Sequence, residues 1–432
     1  MRKDGKRRNQ RGRVLTGVAI LAASAFGWRM WLEASGSARL ISTEEVGEAC
    51  ERPVPAESPV RAASENLFAA FEPQSVYAQD SRTQDVTRPP LRYIRDSDPI
   101  YSYVALDPRR NEVVMLDSNL WSIRFFDRLE NTPPGALRTE PKRIISGDKT
   151  VLAFNSCMYI DPQNGDIYSV ENDVGNMVEV FSDSAEGDVA PLRKLVVTHR
   201  AYALAVDEGK QELFVSVQFP PAVEVYRKQA SGEEKPLRVL KGDNTRLADA
   251  HGMAIDEKKK LLFVNNWGNI SDLKVAGTGR FEEPSITVYS LDAKGDTAPV
   301  RVIQGPKTQL DWPGNMSLDP ETGDLYVAND VGNSILVFHG TDQGDVAPAR
   351  VIKGTGTGLS TPVSVIVDAK NRELWVANTG NASATVYPLA ANGNVAPLRT
   401  IRSAPEGKQS LKFGKTQAVA YDSVRQQILV PN

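Results

Sequence analysis

Asp319-Pro-Glu-Thr-Gly-Asp-Leu-Tyr-Val-Ala-Asn329 reads as the end of one strand, a tight turn and a second strand. The aspartate closes an apolar strand, Gly-Asp supplies the turn, and Leu-Tyr-Val-Ala has the residue types of a pleated, buried segment. Asp161-Pro-Gln-Asn-Gly-Asp-Ile-Tyr-Ser-Val-Glu-Asn172 repeats the unit. An aspartate in the same setting recurs at Asp107, Asp161, Asp207, Asp256, Asp319, Asp368 and Asp422.

Two further markers follow it in fixed order. An alternating strand ends near an aromatic residue, as in Glu224-Val-Tyr226, Thr287-Val-Tyr289, Leu336-Val-Phe338 and Thr385-Val-Tyr387. Then comes Pro-x-Arg, starting at Pro90, Pro141, Pro191, Pro236, Pro299, Pro348 and Pro397. The prolines are 51, 50, 45, 63, 49 and 49 residues apart. That period is one four-stranded propeller blade, with strands a to d. Proline lacks an N–H donor, so the Pro-x-Arg strand belongs on the blade's outer edge.

The chain ends decide the expected blade number. After Asp422 only a b strand, Ile428-Leu-Val-Pro-Asn432, remains. At the other end Ser75-Val-Tyr77 and Pro90-Leu-Arg-Tyr-Ile94 read as c and d strands. Together they make one split blade. The expected fold is therefore an all-β, seven-bladed β-propeller over 74–432, its last blade shared between N- and C-terminal strands.

The preceding residues read differently. Residues 1–13 carry a net charge of +6, leaving −9 on the remainder of a chain whose total is −3. The apolar run Val14–Ala22 and Ala23-Ser24-Ala25 then make 1–32 an export signal, either cleaved or kept as an anchor. Export predicts a periplasmic or extracellular location, and an uncleaved anchor would be the one link to a membrane. Residues 33–73, with Pro53, Pro55 and Pro59, read as a linker. The acidic body excludes nucleic acid as the main partner. Cys50 and Cys157 are the two cysteines, and their pairing is left open by the sequence.

The Asp-Pro-x-x-Gly-Asp-Leu-Tyr-Val-Ala-Asn segments and the Gly-Asp-Val-Ala-Pro-x-Arg connectors at Gly187, Gly295 and Gly344, with a Gly-Asn form at Gly393, resemble the NHL-repeat family and related exported bacterial propellers. The resemblance covers about 74–432 and implies the fold. It says little of activity, since propellers host many functions. The Gly-His and Trp-Asp marks of WD-type propellers are absent from the sequence.

In such a blade the d–a connections and b–c hairpins share one face. The hairpins there read Asn172-Asp-Val-Gly-Asn176, Asn266-Trp-Gly-Asn269, Asn329-Asp-Val-Gly-Asn333 and Asn378-Thr-Gly-Asn381. Asn and Gly serve tight turns. They also offer a ring of amides and carboxylates around the channel mouth, suited to a polar ligand or to calcium, with no other cofactor expected. The d–a connections add Ser156, Tyr202, His251, Gly314-Asn315, Ser364 and Gln417. The expected ligand-binding set is Ser156, Tyr202, His251, Asn266, Trp267, Asn315, Asn329, Asn378 and Gln417. The longest repeat carries an insertion, Gly268–Pro284, on this face, and is expected to cover part of the mouth with Trp267 and Phe281.

Two functional readings follow. One is a monomeric binding scaffold for a protein or a small polar ligand, favoured because no Gly-x-Ser-x-Gly, His-Glu-x-x-His or Walker motif occurs. The other is a metal-dependent hydrolase or lyase resembling the propeller lactonases, with Asn266, Asn315, Asn329 and Asp330 as candidate ligands and His251 as acid/base. The chain has three histidines, His199, His251 and His339, and their placement speaks against a three-His zinc site.

Overall fold

The computed structural model describes residues 101–401, apart from 108, 118–119, 137–138, 273 and 382, together with residues 418–430. Chain contacts divide the protein into Met1–Gln79 and Asp80–Asn432, and every described residue lies in the second unit. The expected signal, linker, Cys50 and the strands around 75–94 lie outside the described residues, as does Gln417.

Six four-stranded antiparallel sheets follow one another, each in simple up-and-down order. Blade 1 holds β1 (Tyr101–Asp107), β2 (Glu112–Asp117), β3 (Ser122–Asp127) and β4 (Arg143–Ile145). Blade 2 holds β5 (Asn155–Ile160), β6 (Ile167–Glu171), β7 (Met177–Phe181) and β8 (Arg193–Val196). Blade 3 holds β9 (Ala201–Asp207), β10 (Glu212–Val217), β11 (Ala222–Arg227) and β12 (Arg238–Leu240). Blade 4 holds β13 (Ala250–Asp256), β14 (Leu261–Asn266), β17 (Ser285–Ser290) and β18 (Arg301–Gln304), with a small ribbon of β15 (Asn269–Ile270) and β16 (Arg280–Phe281) inserted. Blade 5 holds β19 (Pro313–Leu318), β20 (Asp324–Asn329), β21 (Ser334–His339) and β22 (Arg350–Ile352). Blade 6 holds β23 (Pro362–Asp368), β24 (Glu373–Asn378), β25 (Ser383–Pro388) and β26 (Arg399–Ile401). A two-stranded sheet, β27 (Ala420–Asp422) with β28 (Gln427–Leu429), ends the described chain.

The β-propeller expected from the repeats is thus present, with six complete blades among the described residues rather than seven. The strands expected around 75–94 lie outside the described residues, and after blade 6 the described chain adds only the hairpin β27–β28. β27 lies against β23 of blade 6 and against β1 of blade 1. Ala418 and Ala420 join a core with Val104, Val113, Met115 and Phe126 of blade 1.

Polar contacts repeat the same logic. In blades 2 and 5 the aspartate ending the inner strand pairs with a cation from the next blade: Asp161 with the buried Lys228 at 2.8 Å, and Asp319 with Arg372 at 3.1 Å. Asp422 of the hairpin pairs in the same way with the buried Arg128 of blade 1, whose guanidinium also donates to Gln427 at 3.1 Å. Burial alone would raise these carboxyls. Turn amides and the cations outweigh it and hold Asp161, Asp319 and Asp422 below the usual carboxylate range. Tyr421 accepts a hydrogen bond from Asn371 of blade 6 at 2.9 Å.

The recurrent motifs acquire physical roles. Each marker aspartate accepts an amide of its own a–b turn, as Asp107 does from Arg109 and Asp368 from Asn371. The Gly-Asp connectors join neighbouring blades. Gly187 donates its N–H to Ile144 and accepts from Ser146, so it pairs with the outer strand of the preceding blade. Gly232, Gly295, Gly344 and Gly393 repeat this clip. Asp188, Asp296, Asp345 and Asn394, one residue on, each accept an amide from the d–a connection of the preceding blade. The arginine of Pro-x-Arg spans the same seam: Arg238 holds Glu212 of its own blade at 2.6 Å, while Arg301 donates to the Gly340 carbonyl of the next at 2.5 Å. Apolar cores lie between consecutive sheets, as where Tyr326 and Val337 of blade 5 meet Val365 and Leu374 of blade 6.

Candidate functional site

A bulge sits near the start of every inner pair in the six blades, for example between Ala250 and Met253 and between Pro313 and Met316. It releases the first residues of the inner strand from the ladder and re-aims their side chains. In blades 3 to 6 the preceding residue takes positive φ: Arg200 68°, Asp249 57°, Trp312 52° and Thr361 49°. The chain therefore turns sharply into the inner strand on the face of the b–c hairpins.

On blades 3 to 5 this geometry assembles a ladder of rings. Tyr202 of β9 lies 4.3 Å from His251 of β13, ring centre to ring centre. His251 stacks on Trp267 at 3.7 Å with 8° between planes, and Trp267 stacks on Trp312 at 4.8 Å. The indole N–H of Trp267 donates to the Pro313 carbonyl at 2.9 Å, which fixes the middle of the stack. Trp312 ends it with 41% of its surface exposed. Offset stacked rings contribute about 0.5–1.5 kcal/mol per pair beyond their burial.

A polar cluster holds the ladder from behind. The side chain of Gln218 donates to Asp249 at 3.0 Å and meets Nε2 of His251 at 3.3 Å, while Asn172 donates to its oxygen at 3.0 Å. With the Gln218 amide nitrogen as donor, Nε2 of His251 accepts, and Nδ1 carries the proton 3.1 Å from Asp249. Asn269 also donates to Asp249 at 3.2 Å. His251 is only 5% exposed, with both nitrogens engaged and one face covered. Its ring stacks on Trp267 and lies against Tyr202. Burial chiefly, with Cys157 and Asp249 adding to it, pushes the Tyr202 hydroxyl up to about 12, so it stays neutral near pH 7.

The other expected site residues are dispersed. Ser156 donates to the Tyr202 carbonyl at 2.7 Å and joins blades 2 and 3. Asn266, Asn329 and Asn378 are buried staples. Their oxygens accept amides of the d–a connection (Ala248, Asp311, Ser360), and their nitrogens donate to strand-c hydroxyls such as Thr287, Ser334 and Thr385. These amides bond within their own blades and to the d–a connections. Asn315 is exposed at the start of β19, and Ser364 is buried. Asp330 is half-buried, its carboxyl raised by burial and by nearby Asp311. Among the described residues no group of three or more His, Cys, Asp or Glu is placed to hold a metal ion. His199 lies beside Asn176 and His339 beside Asp324, each apart from His251. Cys157 is a buried thiol.

The insertion Gly268–Pro284 touches the ladder cluster through Asn269 and Asp249 and also reaches outward. Arg280 reaches Asp243 at 3.5 Å, and the Glu283 carbonyl accepts from Gln304 at 2.7 Å, so the ribbon leans on the outer-strand ends of blades 3 and 4. Phe281 is exposed there, while Trp267 alone joins the ladder. Trp312, Gln218 and Asp249 belong to the site and were not expected from the sequence.

Consecutive four-stranded up-and-down sheets, each packed against the next, define a β-propeller. The WD40 β-propeller domain of Doa1 shares this fold with a TM-score of 0.54 at 10% identity, over 78% of this chain and 91% of that one. No protein-family model matches the sequence, and no curated protein does.

Proposed function

We propose that the chain is an exported propeller that binds a partner or a small polar ligand through its hairpin face, with the Tyr202–Trp312 ladder as the contact. The exposed indole face of Trp312 carries this reading, because it caps a rigid stack held by Asp249 and Gln218. Rigid aromatic platforms bind at low entropic cost. Trp312→Ala should abolish binding on glycan and peptide arrays while leaving the melting temperature nearly unchanged. Undiminished binding by that variant would end the reading.

The same proposal includes a seventh blade and NHL-like repeats. The Arg128–Asp422 pair supports closure, since it reproduces the contact between consecutive blades elsewhere. Strands from 75–94 would then complete β27–β28. Removing 74–95 should lower the melting temperature and promote association through the open edge. The basic and apolar residues of 1–25 support export. Expression in bacteria with fractionation would place the protein outside the cytoplasm, cleaved or anchored.

A further inference from the structure

A second concavity lies on the hairpin face and shares no residue with the ladder. The blade 4 insertion and the tip of the β10–β11 hairpin enclose about 410 Å³, a volume typical of sites for small ligands. Pro220, Pro221, Leu247 and Ile270 form an aliphatic wall. Charged side chains line the rest, three cations (Lys241, Arg246, Arg280) and three carboxylates (Asp243, Asp272, Glu282). Arg280 is held by Asp243 at 3.5 Å and by Glu282 at 3.1 Å. Asp272 accepts the N–H of Lys274 at 3.0 Å within its own loop.

Lys241 and Arg246 are different. Both line the cleft, and neither makes an ion pair among the described residues. The guanidinium of Arg246 donates to the side-chain oxygen of Gln304, which orients it without neutralising it. Lys241 and Arg246 thus stand without an ion pair beside a hydrocarbon wall, in a cleft whose other charges are Arg280 with Asp243 and Glu282, and Asp272, and whose lining holds no aromatic platform for a sugar. Inorganic phosphate would satisfy the cations and leave the wall unused.

We infer that this cleft binds an organic carboxylate, its anionic head on Lys241 and Arg246 and its aliphatic body on Pro220, Pro221 and Ile270. Two sources carry that chemistry: a free aliphatic acid, and an acidic side chain flanked by aliphatic residues in a peptide. Calorimetry on the full chain distinguishes them with three probes: hexanoate, acetyl-Leu-Glu-Leu-amide and inorganic phosphate. Binding of hexanoate or of the tripeptide more tightly than phosphate is expected, the tighter of the two naming the source. Lys241→Gln with Arg246→Gln should weaken that binding about tenfold or more, with the melting temperature unchanged. Trp312→Ala should leave it intact, so failure of the ladder does not bear on the cleft. The inference is overturned if neither organic probe binds, if phosphate binds equally well, or if the double variant binds as tightly as wild type.

Discussion

Asp422→Asn is the sharpest test of ring closure. The substitution keeps an oxygen for the amides of Val424 and Arg425, both donated at 2.9 Å, and removes only the charge facing Arg128. Arg128 and Asp422 are 1% and 3% exposed at their side chains. Stranding one member of a buried pair costs about 3–5 kcal/mol. Roughly 330 residues from Tyr101 onward, at about 2.1 cal/mol/K each, give an unfolding entropy near 0.7 kcal/mol/K. The expected fall in melting temperature is therefore about 4–7 °C.

Scanning calorimetry with a double-mutant cycle reads this. Arg128→Met should cost a similar amount, and the double variant much less than the sum, because it leaves no buried charge alone. Arg425→Ala serves as control. Its contact with Asp422, at 3.3 Å and 31% exposed, is worth under about 1 kcal/mol. The pH dependence has a definite sign. The Asp422 carboxyl is held below its unfolded value, so the stabilisation is full above about pH 4 and is lost as pH falls through the folded value. Asp422→Asn should flatten that acid limb. Equal, small shifts for Asp422→Asn and Arg425→Ala would refute the claim that the hairpin is held as a blade.

Other outcomes follow from single contacts. Trp267→Ala, which empties the middle of the stack, should cost about 3–5 kcal/mol, and Trp312→Ala under about 1.5, a split that thermal unfolding resolves. Glu179 is fully buried, and burial pushes its carboxyl well above the usual range. Stability is then greatest below the unfolded value and falls as pH rises toward the folded one, so Glu179→Gln should lose less stability than wild type between about pH 5 and pH 8. Gly295→Ala meets only open space at φ 59° and should cost about 1 kcal/mol. Gly242→Ala would place a methyl against the Asp296 carboxylate and should cost clearly more in a denaturant titration.

Legibility in the sequence followed the range of each interaction. Asp319 and its counterparts cap turns two or three residues away, and Pro-x-Arg starts an edge strand. Both signals are local, and both placed the blades. The role of the Gly-Asp connectors was hidden because their partner is the outer strand of a neighbouring blade, some 40 residues distant. The hairpin asparagines have partners that the sequence does not show. Asn266, Asn329 and Asn378 end buried strands, and their amides turn inward to the d–a connection. Trp312 escaped notice because it precedes the inner strand, at the place Asp249 holds in the blade before. Nothing in either short segment announces that the bulged start of β13 brings His251 and Trp267 between them.

The seams also explain why the ladder sits where it does. Tyr202, His251, Trp267 and Trp312 come from blades 3 to 5, so the 4.3 and 4.8 Å spacings at the ends of the stack are set by the joins between those blades, while the 3.7 Å contact lies within blade 4. These joins are reinforced several times over. Gly295 and Gly344 clip outer strands, Arg238 and Arg301 bond to the next blade's carbonyls, and Ser216 and Asn265 bond the His251 and Gly314 carbonyls near the mouth. The closing seam between the C-terminal hairpin and blade 1 lies farthest from blade 4 in ring order, and its described polar contacts centre on Arg128. A binding surface built from stacked rings tolerates little slack, since a gap of 0.5–1 Å already forfeits a quarter to a half of a dispersion contact. On the proposed reading, the multiply clipped arc carries recognition and the hairpin seam carries closure. Asp422→Asn should then lower the melting temperature while leaving tryptophan emission from the native ladder unchanged, and a shifted native spectrum would mean that the seam and the mouth move together.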